Sequence, residues 1–208
     1  MGEFEYFLSF YGLLLGLTVA EVALGFANAI DAHRHKPIGR LTPLLAVFVL
    51  MDIVSFWVFT WSAREVISIN MLTLFGALFI SLAYFLSGAL VFPRRAEEWS
   101  SLDEHFWQRR RMVFAGIILA NVMLRALQLT RALPSLTDFW FYFHNGSLLA
   151  IYTGLWFAKT RRQVFFFLGW SVLFHFMLFT GILPRSHWAQ EIGLNVGATN
   201  SPVPAQNR

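Results

Sequence analysis

The stretch HNGSLLAIYTGLWFAKTRRQVFFFLGWSVLFH, residues 144–175, decides the fold class of this protein. It holds two apolar segments joined by the basic turn KTRR, with His144 and His175 at its two ends. An apolar segment of about 20 residues crosses the hydrocarbon of a bilayer as a helix. A turn this short joins two such helices as antiparallel neighbours. The stretch therefore predicts a helical hairpin inside a membrane, and it raises the question of whether the two histidines meet.

The composition of the whole chain also indicates a membrane protein. Of its 208 residues, 57% are hydrophobic and only 13% are charged, whereas a soluble domain carries about 25% charged residues. The net charge of +4 does not indicate nucleic-acid binding, because the basic residues stand in short gaps between apolar segments. The chain has no cysteine, which excludes disulfides, thiolate metal sites, iron–sulfur clusters and cysteine nucleophiles. Both lysines, Lys36 and Lys159, fall in predicted loops, which excludes a retinal Schiff base inside a helix.

Six apolar segments predict an all-α bundle of six transmembrane helices in one domain, residues 1–184. The acidic start MGEFEYF lacks the positive charge of a cleaved signal peptide, so the first segment is expected to be retained. Ser101 and Glu104 have capping-box spacing, which predicts a helix that starts there and continues into the fourth span. The polar tail, residues 185–208, is predicted to be disordered. The expected spans are about 5–30, 42–62, 68–92, 112–132, 137–158 and 163–184.

The distribution of basic residues predicts the orientation of the bundle. Three loops on one side hold eleven Lys and Arg, and the other side holds four. Because positively charged loops stay in the cytoplasm, both termini are expected outside, in the inner membrane of a bacterium. Basic residues beside a span also attract anionic lipid headgroups. The predicted headgroup contacts are Arg94, Arg95, Arg109, Arg110 and Arg111.

Polar residues within the spans are the candidate functional residues, because a polar group in hydrocarbon is costly. His144 and His175 lie almost equally far from the KTRR turn, so they reach the same depth toward the outer side. Asn121, Arg125 and Gln128 share one face of the fourth span. We therefore expect one polar cluster in the outer half of the membrane, formed by Asp52, Asn121, Arg125, His144, Asn145 and His175.

The members of this cluster also have structural interpretations. Arg125 is long enough to reach the outer interface with its guanidinium group. A lone histidine in a helix often donates only to a nearby backbone carbonyl. Asp52, near the middle of the second span, would be costly without a partner, so we expect it to pair with Arg125 or with a histidine.

A second polar group lies nearer the cytoplasmic side, where Glu21 and Tyr84 reach a similar depth. Its small and hydroxyl residues favour close helix packing, but Glu21 is a candidate proton carrier that would extend a path from Asp52. Gly12 and Gly16 form a GxxxG pattern, which can mark a dimer face. The group comprises Thr18, Glu21, Gly25 and Asn28 on the first span and Ser81, Tyr84 and Gly88 on the third.

Several other functions can be weighed against these residues. His144 and His175 suit axial ligands of haem b or, with Asp52, ligands of a metal ion. The short turn argues against haem between them, because adjacent helices lie only about 8–10 Å apart, although a haem across oligomer partners stays open. Arg125 and Arg131 are too few for a voltage sensor, and DAHRH is interpreted as a charged loop rather than a metal site. No HExxH, GxSxG or phosphate-loop motif indicates an enzyme, although an intramembrane enzyme using His and Asp stays open.

The leading interpretation is a small transport or channel-type protein that moves protons, ions or a small solute along a path from Glu21 to Asp52 and the histidines. It is expected to be a homo-oligomer or a subunit of a membrane complex. The first alternative is a haem- or metal-binding electron-transfer or sensor protein. The second is a non-catalytic accessory subunit, which would be supported if all the polar residues were satisfied within helix contacts and no cavity existed.

Overall fold

The computed structural model describes residues 2–32, 39–64, 67–95, 98–129 and 133–191. Within these ranges the chain forms seven α-helices and no strand, so the prediction of an all-α fold is confirmed. The helices are α1 (Glu3–Ala32), α2 (Leu41–Ser62), α3 (Met71–Ala89), α4 (Leu102–Leu129), α5 (Phe139–Phe157), α6 (Arg161–Phe179) and α7 (His187–Glu191).

Five of these helices are long and apolar enough to cross a membrane, namely α1, α2, α3, α4 and α6. The helix α5 has the same length as α6, 19 residues. It contains His144 and Asn145, and it is not among the described helices that are apolar enough to cross a membrane.

The helix α4 begins at Leu102, well before the predicted span at residue 112. The expected helix start is confirmed, because the Ser101 hydroxyl accepts a hydrogen bond from the Glu104 N–H at 3.2 Å. The Glu104 carboxylate bonds Ser100 instead of completing a capping box with Ser101. A single helix thus runs from the loop into the bundle without a break.

The starts of α2, α4 and α6 meet at one end of the bundle, which we call the basic end. Asp103 accepts a hydrogen bond from the Leu41 N–H at 3.3 Å and forms an ion pair with Arg161. The Thr42 hydroxyl donates to the Leu102 carbonyl at 2.9 Å. Gly39 has φ +69°, and a side chain there would collide with the Asp103 carboxylate. These contacts hold three helix starts together.

The opposite end, which we call the capped end, is covered by α7. Asp138 caps α5 by accepting from the Phe141 N–H at 3.1 Å, and its other oxygen accepts from the Trp188 N–H at 2.8 Å. The rings of Phe141 and Trp188 pack edge to face at 4.9 Å, and Trp188 is buried. Residues 185–191, placed in the disordered tail by the sequence, therefore pack onto the bundle. The rest of that tail lies outside the described residues.

The arrangement of the helices differs in part from the expected order of neighbours. Consecutive helices pack together in the pairs α3/α4 and α5/α6, but α1 packs mainly on α3 and α2 mainly on α6. Close approach at glycines explains the α1/α3 contact. A Cβ atom on Gly88 would lie 2.7 Å from Thr18 Cγ2, and one on Gly25 would lie 2.7 Å from Phe92 Cβ. Small residues let these helix backbones come together, which supports the packing interpretation of this group.

Candidate functional site

The Asp52 carboxylate lies at the centre of the polar residues in the bundle. It is only 3% exposed, in the middle of α2. Its Oδ2 atom accepts from the Tyr84 hydroxyl at 2.7 Å and from the Asn121 side-chain amide at 3.1 Å. The Tyr152 hydroxyl lies 3.5 Å from Oδ1. Three helices, α3, α4 and α5, thus supply donors to one buried carboxylate, as burial of a charge requires.

His175 completes the surroundings of Asp52. Its Nε2 atom lies 3.4 Å from Asp52 Oδ1, and its Nδ1 atom lies 2.8 Å from the Ser171 carbonyl oxygen. A carbonyl only accepts hydrogen bonds, so Nδ1 must carry a proton. Nε2 is therefore the nitrogen that gains or loses a proton, and it faces the carboxylate. Of the two pairings expected for Asp52, the structure forms the one with a histidine.

The Asp52–His175 pair can share a proton in two ways. With the proton on Nε2 the pair is a carboxylate beside an imidazolium, and with the proton on Asp52 both groups are neutral. The hydroxyls of Tyr84 and Tyr152 donate to the carboxylate and stabilise its charged form. The arrangement therefore allows proton transfer within a buried pair whose total charge stays constant.

A cavity of about 250 Å³ extends from this pair toward the capped end. Its walls come from α2, α4, α5 and α6, with Tyr84 of α3, and α7 covers it with Trp188 and Ala189. Most of the lining is apolar by surface area. Its polar side chains are Asp52, Ser55, Tyr84, Asn121, Arg125, Gln128, His144, Asn145, His175, Arg185 and Ser186.

Arg125 lines this cavity without an acidic partner among the described residues. Its Nη1 donates to the neutral Gln128 side chain at 2.6 Å. Its guanidinium carbon lies 5.7 Å from the centre of the Trp188 ring, within range of a cation–π contact. Arg125 therefore neither pairs with Asp52 nor simply extends to the interface. It brings a positive charge into the cavity, and its remaining donors are available there.

His144 lies in the same cavity but apart from the Asp52 pair. The Phe174 ring lies against both histidines, 6.0 Å from the His144 ring and 6.4 Å from the His175 ring. The Nε2 atom of His144 is buried and has no hydrogen-bond partner in the described part of the chain. Asn145 beside it donates to the Phe141 carbonyl of its own helix at 2.7 Å. The two histidines thus share a cavity but play different roles in it.

The donor geometry does not suit the metal and haem alternatives. No group of three His, Asp or Glu side chains in the described part of the chain is arranged to hold a metal ion. Both ring nitrogens of His175 are engaged, one with Ser171 and one with Asp52. An axial haem bond from His175 would break the Asp52 contact. The histidines of the DAHRH motif lie outside the described residues.

The structure does not bring Glu21 and Tyr84, of the second predicted polar group, together in one site. Tyr84 belongs to the Asp52 site rather than to a group around Glu21. Glu21 is half-buried, and nothing in the described ranges gives its side chain a hydrogen bond or an ion pair. Thr18 bonds the Leu14 carbonyl of its own helix at 3.3 Å. The polar path expected between Glu21 and Asp52 is therefore not continuous in this arrangement.

Apolar side chains fill the bundle between Asp52 and the basic end. Each of them is at most 1% exposed, so the cavity ends at Asp52 in this conformation. These residues are Leu41, Leu45, Phe48, Phe106, Val113, Phe114, Leu155, Val164 and Leu168.

The arginines expected at lipid headgroups do not all have the same environment. Arg94, Arg95 and Arg111 are exposed, and Arg109 is half-buried. Arg110 instead points into the protein, where it is 6% exposed and donates to the Ala158 carbonyl at 2.6 Å. Its guanidinium carbon lies 4.1 Å from the Trp107 ring centre. Arg110 therefore joins α4 to the end of α5, and the expected headgroup contact is wrong for this residue.

No protein-family model matches this chain, and no curated protein and no solved structure matches it. The function must therefore be inferred from the geometry of the site itself.

Proposed function

We propose that this protein is a small integral membrane transporter that uses the Asp52–His175 pair to move protons, alone or with a small solute. One observation carries the proposal, namely a buried carboxylate with a histidine, two tyrosines and an asparagine at the closed end of a cavity. Ionisable groups inside a membrane are rare and mark proton or solute pathways. The cavity gives this pair access from one side of the bundle.

A carrier fits the site better than a channel. Among the described residues, the buried side chains between Asp52 and the basic end are mainly apolar, whereas a channel needs a continuous polar route. A carrier opens its site to one side at a time by moving helices. The helices α5 and α6, which both line the cavity, are the candidates for such a movement.

We propose that α5 is the sixth span and that the basic end faces the cytoplasm, as expected from the distribution of basic residues. A bacterial inner membrane suits this arrangement, with Arg94, Arg95 and Arg111 at anionic headgroups. Because the chain has no cysteine, single cysteines report topology cleanly. A cysteine at Thr137 should react with an impermeant maleimide added outside intact cells, and one at Ser100 should not. The reverse labelling pattern would invert the orientation.

We also propose that copies of the chain associate through α1. The GxxxG face carries Gly12 and Gly16, and no described residue lies within 4 Å of a Cβ atom built on Gly16. Such a face lets a second helix approach closely. A Gly16→Leu variant should lower the oligomeric mass in detergent, measured by light scattering, whereas Gly76→Leu should not.

The transport proposal is tested by proton flux into liposomes that contain the protein and a trapped pH dye. A valinomycin-induced potassium potential drives the protons inward. The protein should accelerate acidification, and Asp52→Asn should return it to the rate of empty liposomes. Ser55→Ala is the matched control, because Ser55 also lines the cavity but bonds only the Met51 carbonyl of its own helix. Equal flux in wild type and Asp52→Asn would end the proposal.

Glu21→Gln shows in the same assay how far the pathway extends. Loss of flux would mean that the path continues along α1 in another conformation. Retained flux would confine the essential groups to the half of the bundle near α7.

The accessory-subunit alternative receives less support from the site. It requires satisfied polar residues and no cavity, whereas His144 Nε2 is buried without a partner beside a cavity. An absorption spectrum of the purified protein before and after dithionite tests the haem alternative directly. A Soret band that shifts on reduction would replace transport with electron transfer or sensing.

A further inference from the structure

A second cavity, of about 440 Å³, lies between α4 and α5. It shares Asn121, Arg125, Asn145 and Leu148 with the first cavity, so these four residues form the boundary between the two. The rest of its lining is mainly apolar. Those residues are Ile118, Val122, Leu149, Tyr152, Thr153, Trp156 and Phe157.

This second cavity opens sideways, on the outer surface of the bundle. Val122, Leu149 and Phe157 at its edges are 59%, 67% and 68% exposed. They lie along the parts of α4 and α5 that cross the hydrocarbon in the topology proposed above. The two helices contact each other much less than α3 and α4 do. The groove between them is therefore open to hydrocarbon chains.

The charge at the boundary between the cavities is positive. Among the described residues, Arg125 has the neutral Gln128 and the Trp188 ring as partners. The charge of Asp52 is balanced by His175 when Nε2 of that histidine is protonated. His144 adds a buried nitrogen without a hydrogen-bond partner. A guanidinium with free donors forms its strongest contacts with carboxylates and other oxyanions, often through two parallel hydrogen bonds. An anionic group would satisfy this boundary.

We propose that Arg125 binds the carboxylate of a long-chain fatty acid whose hydrocarbon chain lies in the groove between α4 and α5. This inference rests on the proposed function in that it names the substrate class of the same site. An apolar groove that opens to lipid and ends at a cation requires a ligand with an apolar tail and an anionic head. A water-soluble anion would leave the groove empty, and a neutral lipid would leave Arg125 without a counter-charge.

Binding to the purified protein in mild detergent tests the inference without any transport step. The probe is palmitate carrying bromine atoms in mid-chain, which quench the fluorescence of Trp156 in the groove. The wild type should be quenched at lower concentrations by the acid than by its methyl ester. Arg125→Gln should weaken binding of the acid by about tenfold or more, as expected for the loss of a charged hydrogen-bond pair. It should leave binding of the methyl ester unchanged.

Further variants guard against misfolding and identify other occupants. Arg185→Gln is the matched control, because Arg185 lines only the first cavity. Leu149→Phe should narrow the groove without adding a tryptophan, and it should weaken quenching by the acid although Arg125 is intact. Equal binding of acid and ester would overturn the proposal in favour of a neutral lipid. A disulfide-linked dimer formed by a cysteine at Val122, without palmitate binding, would mean that a second copy covers the groove.

The binding and flux experiments can fail separately. Palmitate binding that depends on Arg125, without proton flux, would keep the ligand and remove the transport function. Proton flux that depends on Asp52, without palmitate binding, would keep the transport function and remove this ligand.

Discussion

The two sides of α4 differ in how closely they approach their neighbours. Toward α3, Gly116 lets the backbones meet, and the Ser87 hydroxyl reaches across to the Val113 carbonyl at 3.2 Å. Toward α5, Asn121 and Arg125 look onto cavities. The large polar side chains of α4 lie on the side where α4 and α5 are separated by cavities. Glycine and serine lie on the side where α4 and α3 are in contact. The helix α4 thus joins a closely packed half of the bundle to a half with room for a ligand.

Gly116→Leu is expected to cause the largest loss of stability, because it disrupts the close contact between α3 and α4. Even a Cβ atom at Gly116 would lie 2.9 Å from the Ala83 carbonyl oxygen and would collide with the Ser87 hydroxyl. Overpacking of this kind costs about 1–3 kcal/mol or more. Thermal unfolding in detergent should show a clear loss of stability. Gly146→Leu on α5 is the matched control, because nothing lies within 4 Å of a Cβ atom there. Similar losses in both variants would mean that the two halves are packed alike.

Substitutions of the two tyrosines that contact Asp52 test the same difference between the two halves, with a smaller expected loss of stability. Tyr84→Phe removes the 2.7 Å hydrogen bond to Asp52, and Tyr152→Phe removes a contact of 3.5 Å. A lost bond to a buried group costs about 1–3 kcal/mol. Tyr84→Phe should therefore lower the free energy of unfolding more than Tyr152→Phe, because Tyr84 forms the shorter bond and lies between the closely packed half and the site. A larger effect of Tyr152→Phe would contradict this ranking.

Asp138→Asn should cause the smallest loss of stability, and this loss should depend on pH. Burial raises the pKa of Asp138, but the bonds from the Trp188 and Phe141 N–H groups and the nearby His187 outweigh it, so its pKa lies below the usual value. A carboxyl group with a lowered pKa stabilises the fold above its unfolded pKa of about 3.9, and this stabilisation is lost as the pH falls through the folded pKa. The difference in Tm between wild type and variant should correspond to about 1 kcal/mol at pH 7.

The pH series itself supplies the check on Asp138. The difference in Tm should stay constant from pH 7 to about pH 5 and shrink below about pH 4. A difference that already declines near pH 6 would assign the effect to a histidine instead.

Counting residues along the spans predicted part of the site. It brought His175, Asn121 and Asp52 to one depth, and these three are in contact. It misplaced Tyr84 and did not select Tyr152. The Cα–Cβ bonds of a helix tilt toward its N-terminus, and α3 and α5 both begin at the capped end. Their long tyrosines therefore reach farther toward that end than their Cα positions suggest. Correction for this tilt would have placed both hydroxyls near Asp52.

The fold was predictable to a similar extent. The length of the apolar segments predicted the long α-helices, because backbone N–H and C=O groups in hydrocarbon must form hydrogen bonds within the segment itself. It could not give α7, because Trp188 of this short helix is held by contacts with residues distant in sequence, among them Asp138, 50 residues earlier, and Phe141. It also could not give the α1/α3 contact, which depends on how Gly88 meets Thr18. Contacts distant in sequence leave no periodic pattern.

The bond between His175 Nδ1 and the Ser171 carbonyl limits how the imidazole can handle protons. An imidazole relays a proton along a wire by accepting at one nitrogen and releasing from the other. Nδ1 here faces an oxygen that belongs to the backbone of its own helix, so no acceptor beyond it continues the wire. A proton that arrives at Nε2 must leave from Nε2. Net movement of protons across the bundle then requires that the Asp52–His175 pair become accessible from the other side. The rate of transport is then the rate at which the helices move.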